Sequence, residues 1–157
     1  MEHSQTQRAR STMPDSANAM NNWFNEGRAL CVANVQGKGR GVIANVAFRE
    51  HDVIESTPAW GFDGADAALV DQTRAFEYYF VRNDRDNNTE KIKGYLVFGL
   101  ISIVNHSSTP NTRIFWEDRD TGPWACIAAI RDISPGEELT HRYTNVSSYN
   151  PNIVFVD

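Results

Sequence analysis

Three short segments gather the side chains that could do chemistry: Asn105-His106-Ser107-Ser108-Thr109-Pro110-Asn111, Gly136-Glu137-Glu138-Leu139-Thr140-His141-Arg142-Tyr143, and Gly37-Lys38-Gly39-Arg40-Gly41. The first follows directly on an apolar run, so an amide and an imidazole are carried toward the interior, where each polar group needs a partner. A ligand is one partner. A turn in which Asn and Ser bond their own backbone while His106 is satisfied in the core is the other, and these residues alone leave both open. Tyr143 ends a strand that an acidic turn opens; packing is the ordinary role of such a tyrosine, and with an unperturbed pKa near ~10 its phenol is a poor general base. The glycine triplet lets backbone approach a ligand closely, yet the same pattern is common in a plain hairpin turn, and no helix follows it as a dinucleotide or phosphate site needs. His51, Asp52, His106 and Glu138 could serve a metal-dependent hydrolase, but their spacing matches no metal motif. Cys31 and Cys126 lack a second Cys or His at zinc-ligand spacing, which excludes zinc fingers and leaves two buried free thiols.

A scaffold must bring these segments together. At 157 residues the chain makes a single domain, large enough to bury a core without metal or disulfide, and its 41% hydrophobic and 22% charged residues are those of an ordinary globular protein. Residues 1–22, rich in Gln, Ser, Asn and Arg with no apolar period, read as a flexible arm; residues 23–157 form the domain, with its core at 30–143 and a tail at 144–157. Short apolar runs cut by Gly, Asn, Asp and Pro predict a mainly β fold with short helices. Strands are expected at 30–35 and 41–45 around the glycine-rich turn, and at 53–56, ended by Thr57-Pro58 because proline cannot donate to a ladder. Leu69, Val70, Thr73, Phe76 and Phe80 recur at helical spacing and predict a helix over 66–81 capped by Asp66. The run 92–104 crosses the core as strand or buried helix. Residues 112–116 and 124–130 read as a hairpin joined by the polar turn 117–123, and a last strand spans 138–143.

Charge narrows the partners. Fifteen Lys and Arg against twenty Asp and Glu give a net charge of -5, which disfavours direct binding of nucleic acid through its phosphates and suits a basic protein partner. The longest mostly apolar stretch, 95–104, falls well short of the ~20 residues a membrane crossing needs, and the polar start has no apolar signal segment, so cytoplasm or nucleus is expected.

In this order and spacing, the three segments together resemble the SET domain of S-adenosylmethionine-dependent protein lysine methyltransferases, over about residues 30–143. Gly39-Arg40-Gly41, Asn105 to Asn111 and Gly136 to Tyr143 match the family's three motifs position by position, and the short chain is similar to small viral and bacterial members without zinc modules. The resemblance implies a β-clip architecture of small sheets with a C-terminal pseudoknot in which the middle and last motifs meet. It implies S-adenosylmethionine as cofactor, contacted by backbone around Lys38, Gly39 and Arg40 and by Asn105, with His106 inside the knot bracing Tyr143. Tyr143 would orient the lysine amine, opposite an acidic surface with a lysine tunnel, and Tyr78 matches a channel tyrosine of small members, against the plain reading of an aromatic stripe. Asn111 reads as structural. Phe155 in the tail would cover the adenine or the lysine, with a dimer contact or an edge strand as the alternatives.

Two positions depart from the pattern: Thr144 stands where relatives have Gly, and His141 where many have Phe or Tyr, a position linked to how many methyl groups are added. The implied activity is methylation of a lysine in a protein, such as a histone or histone-like tail in a host nucleus for a viral or bacterial effector. A homodimer is compatible with small members. A catalytically idle SET-like module that binds a peptide is the alternative.

Overall fold

In the computed structural model, residues 27–85 and 91–144 are described. The expected arm, the tail beyond Thr144 and with it Phe155 lie outside them. Among the described residues nine strands make two sheets. β1 (Leu30–Val35) and β2 (Gly39–Ala44) form a hairpin in full register from Leu30↔Ala44 to Val35↔Gly39. The turn between them works because Gly37 and Gly39 take φ of 79° and 80°, a left-handed conformation that costs glycine least.

β3 (Val53–Asp63) is longer than its expected four residues. Proline does not end it, because Pro58 falls where the strand changes partner. Pairing with β8 (Gly122–Ala129) stops at Pro58↔Trp124 and pairing with β5 (Ile92–Val97) begins at Ala59↔Val97, so the missing N–H interrupts neither ladder, and the Pro58 carbonyl still accepts from Phe98 N at 3.1 Å.

The helix expected at 66–81 is three elements. α1 (Gly64–Val70) is capped by Asp63, not Asp66: the Asp63 carboxylate accepts from Ala65 N at 3.0 Å and Asp66 N at 3.2 Å. Thr73 then caps a 3-10 helix (Arg74–Tyr78), and β4 (Tyr79–Phe80) pairs with β5. The apolar spacing misleads here because α1 buries no residue and Leu69 is 65% exposed.

The run 92–104 divides between the two expected forms. β5 is followed by a 3-10 helix (Leu100–Ile103), whose first N–H groups are met by Glu55, accepting from Leu100 N at 3.2 Å and Ile101 N at 2.8 Å. β7 (Thr112–Arg119) and β8 pair closely down to Arg119↔Gly122, leaving a two-residue turn where seven were expected, with Gly122 at φ 106°. Together β4, β5, β3, β8 and β7 form the larger sheet, in that order.

The smaller sheet assembles the motifs. β9 (Glu138–His141), shorter than expected, lies between β2 and β6 (Asn105–His106) in the order β1-β2-β9-β6. It runs antiparallel to β2 and parallel to β6, with Asn105↔Thr140 and His106↔His141 in register. All three segments singled out in the sequence therefore share one four-stranded sheet. Between the sheets lies a core that includes Val42, Ile101, Val104, Ile127, Ile133 and Leu139, each 2% exposed or less.

Candidate active site

Asn111 fastens the middle motif to the last one. Its Nδ2 donates to the Glu138 carbonyl at 2.8 Å, its Oδ1 accepts from Thr140 N at 2.8 Å, and the Thr112 hydroxyl donates to the Thr140 carbonyl at 2.8 Å. Asn111 and Thr112 are almost wholly buried, so these bonds are made away from competing water. This clamp lets a parallel pair of only two residues persist.

On one side of the pair sits the glycine loop. Asn105 Nδ2 donates to the Arg40 carbonyl at 3.1 Å and to Glu138 Oε1 at 2.7 Å. Lys38 Nζ lies 3.7 Å from Glu138 Oε2 and donates to the His106 carbonyl at 3.4 Å. A Cβ on Gly41 would come within 2.7 Å of Glu138 Oε1 and 2.8 Å of Asn105 Nδ2, so the third glycine is required by the approach of these side chains. Gly39 faces open space. Backbone, a cation, a carboxylate and an amide thus converge beside an open glycine.

On the other side sits Tyr143. Its backbone N–H donates to His106 Nδ1 at 3.0 Å, its ring meets His106 edge-on at 5.3 Å, and its hydroxyl donates to the Val104 carbonyl at 3.0 Å. Because Nδ1 of His106 accepts, the neutral ring carries its proton on Nε2. The phenol is thereby tied to the residue that precedes Asn105.

A cavity of about 300 Å³ opens on this side, with Phe80, Ile114, Trp116, Ile130, His141 and Tyr143 among its lining. His141 is buried, and its pKa is pushed down to about 4, first by that burial, with the His106 ring adding and a backbone hydrogen bond at Arg142 opposing. The charged lining is Glu77, Arg113 and Arg142, so the cavity wall itself is not the acidic surface expected there. Beneath it, Arg82 is fixed by Asp84 at 2.6 Å and Asp118 at 2.8 Å, with its guanidinium 5.2 Å from the Trp116 ring, which steadies that part of the wall.

The structure brings Lys38, Gly39, Arg40, Asn105, His106 and Tyr143 together. It does not bring Tyr78 in: that residue ends the 3-10 helix, 41% exposed and away from the cavity lining, whereas its neighbour Tyr79 lines the cavity and donates its hydroxyl to Asp71 at 2.9 Å. Trp116 and Ile114 were not singled out from the sequence. Strand alternation could have found them, since Thr112, Ile114 and Trp116 share the face turned to the cavity. Glu138, part of the last motif and also a metal-ligand candidate, has its carboxylate engaged by Lys38 and Asn105.

Comparison with known proteins places this geometry. The family model of the SET domain matches residues 39–144, and the chain belongs to that family. It is 32% identical over 118 residues to the N-lysine methyltransferase KMT5A of Xenopus tropicalis, covering 69% of this chain and 34% of that protein. It is 27% identical over 106 residues to the histone-lysine N-methyltransferase ATXR2 of Arabidopsis thaliana, covering 65% of this chain and 22% of that one. The chain thus spans about a fifth to a third of the length of these relatives. The fold is shared with the solved structure of Plasmodium falciparum PFL0690c, a protein assigned as a histone methyltransferase, at a TM-score of 0.59 and 18% identity over 78% of this chain and 98% of that one.

Proposed function

We propose that this protein transfers a methyl group from S-adenosylmethionine to the side-chain amine of a lysine in a protein substrate. The observation that carries the reading is the position of Tyr143. Its ring lines the cavity while its hydroxyl is held by the carbonyl of Val104, one residue from the Asn105 amide on the glycine-loop side. Two faces of one short parallel strand pair thus offer a cofactor cradle and an amine channel.

The residues on the glycine-loop side fit the cofactor. Both hydrogen bonds of the Asn105 side chain use its nitrogen, which leaves the carbonyl oxygen to accept from the amino group of the methionine moiety. Lys38 and the open backbone at Gly39 and Arg40 suit the carboxylate beside it. When bound, the cofactor supplies an activated methyl group on a positively charged sulfur.

What the chain supplies is alignment and a dry amine. A lysine in water has a pKa near ~10.4 and carries no free lone pair; desolvation among Phe80, Ile114, Trp116 and Tyr143 favours its uncharged form. The proton leaves by water through the cavity mouth. Tyr143, its hydroxyl donating to Val104, is fixed where its ring and oxygen can hold the amine and the moving methyl in line. A phenol fixed from both ends serves as an aligner and not as a base. The net charge of -5 favours a basic segment, such as a histone or histone-like tail, at long range.

The test is transfer of labelled methyl to core histones and to a panel of bacterial proteins. Tyr143→Phe is expected to lower kcat by roughly 10²- to 10³-fold. Asn105→Ala is expected to weaken cofactor binding about tenfold or more by calorimetry. Wild-type rates in Tyr143→Phe would remove that residue from the mechanism, and cofactor binding without transfer to any substrate would point to a peptide-binding module.

A further inference from the structure

The 3-10 helix Leu100–Ile103 touches the site at two points. Its Ser102 belongs to the lining of the cavity, and Val104, which ends it, lends the carbonyl that receives the Tyr143 hydroxyl at 3.0 Å. Where this helix starts therefore decides where that carbonyl stands. Four residues make little more than one turn, and Gly99 at the cap position has no side chain to meet the first N–H groups.

The cap comes from another strand. Glu55 on β3 gives one carboxylate oxygen to each N–H: Oε1 accepts from Leu100 N at 3.2 Å and Oε2 from Ile101 N at 2.8 Å. Thr57, two residues on, donates its hydroxyl to the Phe98 carbonyl, and Phe98 N donates to the Pro58 carbonyl at 3.1 Å. A Cβ on Gly99 would come within 2.9 Å of the Thr57 side chain, so this corner is pressed against β3. From there the path to the phenol is short. Val104 N donates to the Ile101 carbonyl at 3.3 Å, and Ile101 and Val104 are 0% and 2% exposed, locked in the core that β3 also borders. Asn105 is held differently, by the Arg40 carbonyl and Glu138.

We propose that Glu55 is a positioning residue for the Tyr143 hydroxyl: its two oxygens fix the start of the 3-10 helix, the helix fixes the Val104 carbonyl, and the carbonyl fixes the phenol. Its consequence for catalysis rests on the lysine-methylation reading. A small displacement of that carbonyl takes the phenol out of line with the amine and the methyl group, and misalignment of this kind slows a reaction without weakening the hold on the cofactor.

The experiment uses the full chain carrying 13C at the tyrosine Cζ. The Tyr143 Cζ signal, identified by its absence in Tyr143→Phe, is expected to shift in Glu55→Ala and to return partway in Glu55→Gln, whose single amide oxygen can serve one of the two N–H groups. In Glu55→Ala, kcat for transfer to core histones is expected to fall roughly 10- to 100-fold. The Kd for S-adenosylmethionine, read by calorimetry, is expected to stay within about threefold, because Asn105 keeps its own bonds. Asp63→Ala, which removes the cap of α1, is expected to move neither the signal nor kcat. A Cζ signal unmoved in Glu55→Ala, or one that moves equally in Asp63→Ala, overturns the proposal. A loss of cofactor affinity as large as the loss in kcat does so too, since the whole cradle would then have shifted. Should Glu55→Ala not fold, Glu55→Gln decides by the same signal. The signal and the affinity are read without methyl transfer, so the two readings fail separately. A shifted signal with no transfer to any protein defeats the methylation reading alone, and transfer with an unmoved signal defeats this one alone.

Discussion

A buried ring that stays neutral leaves a trace in stability. The pKa of His141 is pushed down to about 4 by burial, whereas in the unfolded chain it returns to about 6.5, so the unfolded state takes up the proton first as the pH falls. The contribution is whole above about pH 6.5 and is lost progressively toward pH 4. The difference of about 2.5 pKa units, at 1.36 kcal/mol per unit, is worth on the order of 3 kcal/mol. Asp84 and Asp118, held below their ordinary value of 3.8 chiefly by hydrogen bonds from Arg82, lose their contributions only at lower pH. Urea unfolding at pH 7.5 and pH 4.5 separates these groups: wild type is expected to lose most of that stability between the two, and His141→Phe much less. Parallel losses in both proteins would show that other groups carry the acid sensitivity.

Among the elements, the two-residue strand β6 bears more than its length suggests. Two ladder positions are too few to hold a parallel pair, and Asn111 supplies what is missing by bonding β9 from the side. Asn111→Ala leaves the Thr140 N–H and the Glu138 carbonyl unpaired in the interior, at about 2–4 kcal/mol together. The expected result is a lower urea midpoint with unchanged slope, and a loss below 0.5 kcal/mol would show that the strands hold without the clamp. The motif containing Asn111 was legible because its residue types are unusual at the end of an apolar run. Tyr78 shows the opposite case. The resemblance offers it as a channel tyrosine, with an aromatic stripe on the helix as the alternative, but Thr73 starts a tighter 3-10 turn and β4 follows at once, so Tyr79 lines the cavity and Tyr78 is 41% exposed. Periodicity also could not divide 92–104 into strand and 3-10 helix, since what fixes the break is Glu55, far away in sequence, accepting the first N–H groups of the helix.

At the scale of the whole molecule, the site exists only once distant parts of the chain have met. β1–β2 and β7–β8 are hairpins that could be read from glycines and polar residues, though the second turn is far tighter than its polar run suggests. The order β1-β2-β9-β6 could not, because nothing local to Glu138–His141 says that it enters between a hairpin from the chain's first third and a two-residue strand from its middle. Only the family resemblance carried that information. β9 is an inner strand, and Leu139 within it is fully buried against the common core. A chain stopped after Gly136 therefore loses β9 entirely, strands the Asn111 side chain and uncovers the edge of β2 at Val42 and Ile43. It keeps the larger sheet, whose strands β3, β5, β7 and β8 pair without it. The expected outcome is a species with strand signal in far-ultraviolet circular dichroism but no sharp thermal transition and poor dispersion of amide resonances. Adding a synthetic peptide of residues 137–144 in excess is expected to restore part of that dispersion, as a missing inner strand does when it finds its slot. A truncated chain that melts as sharply as the full one would mean that the larger sheet folds alone and that the last strand docks on it afterwards.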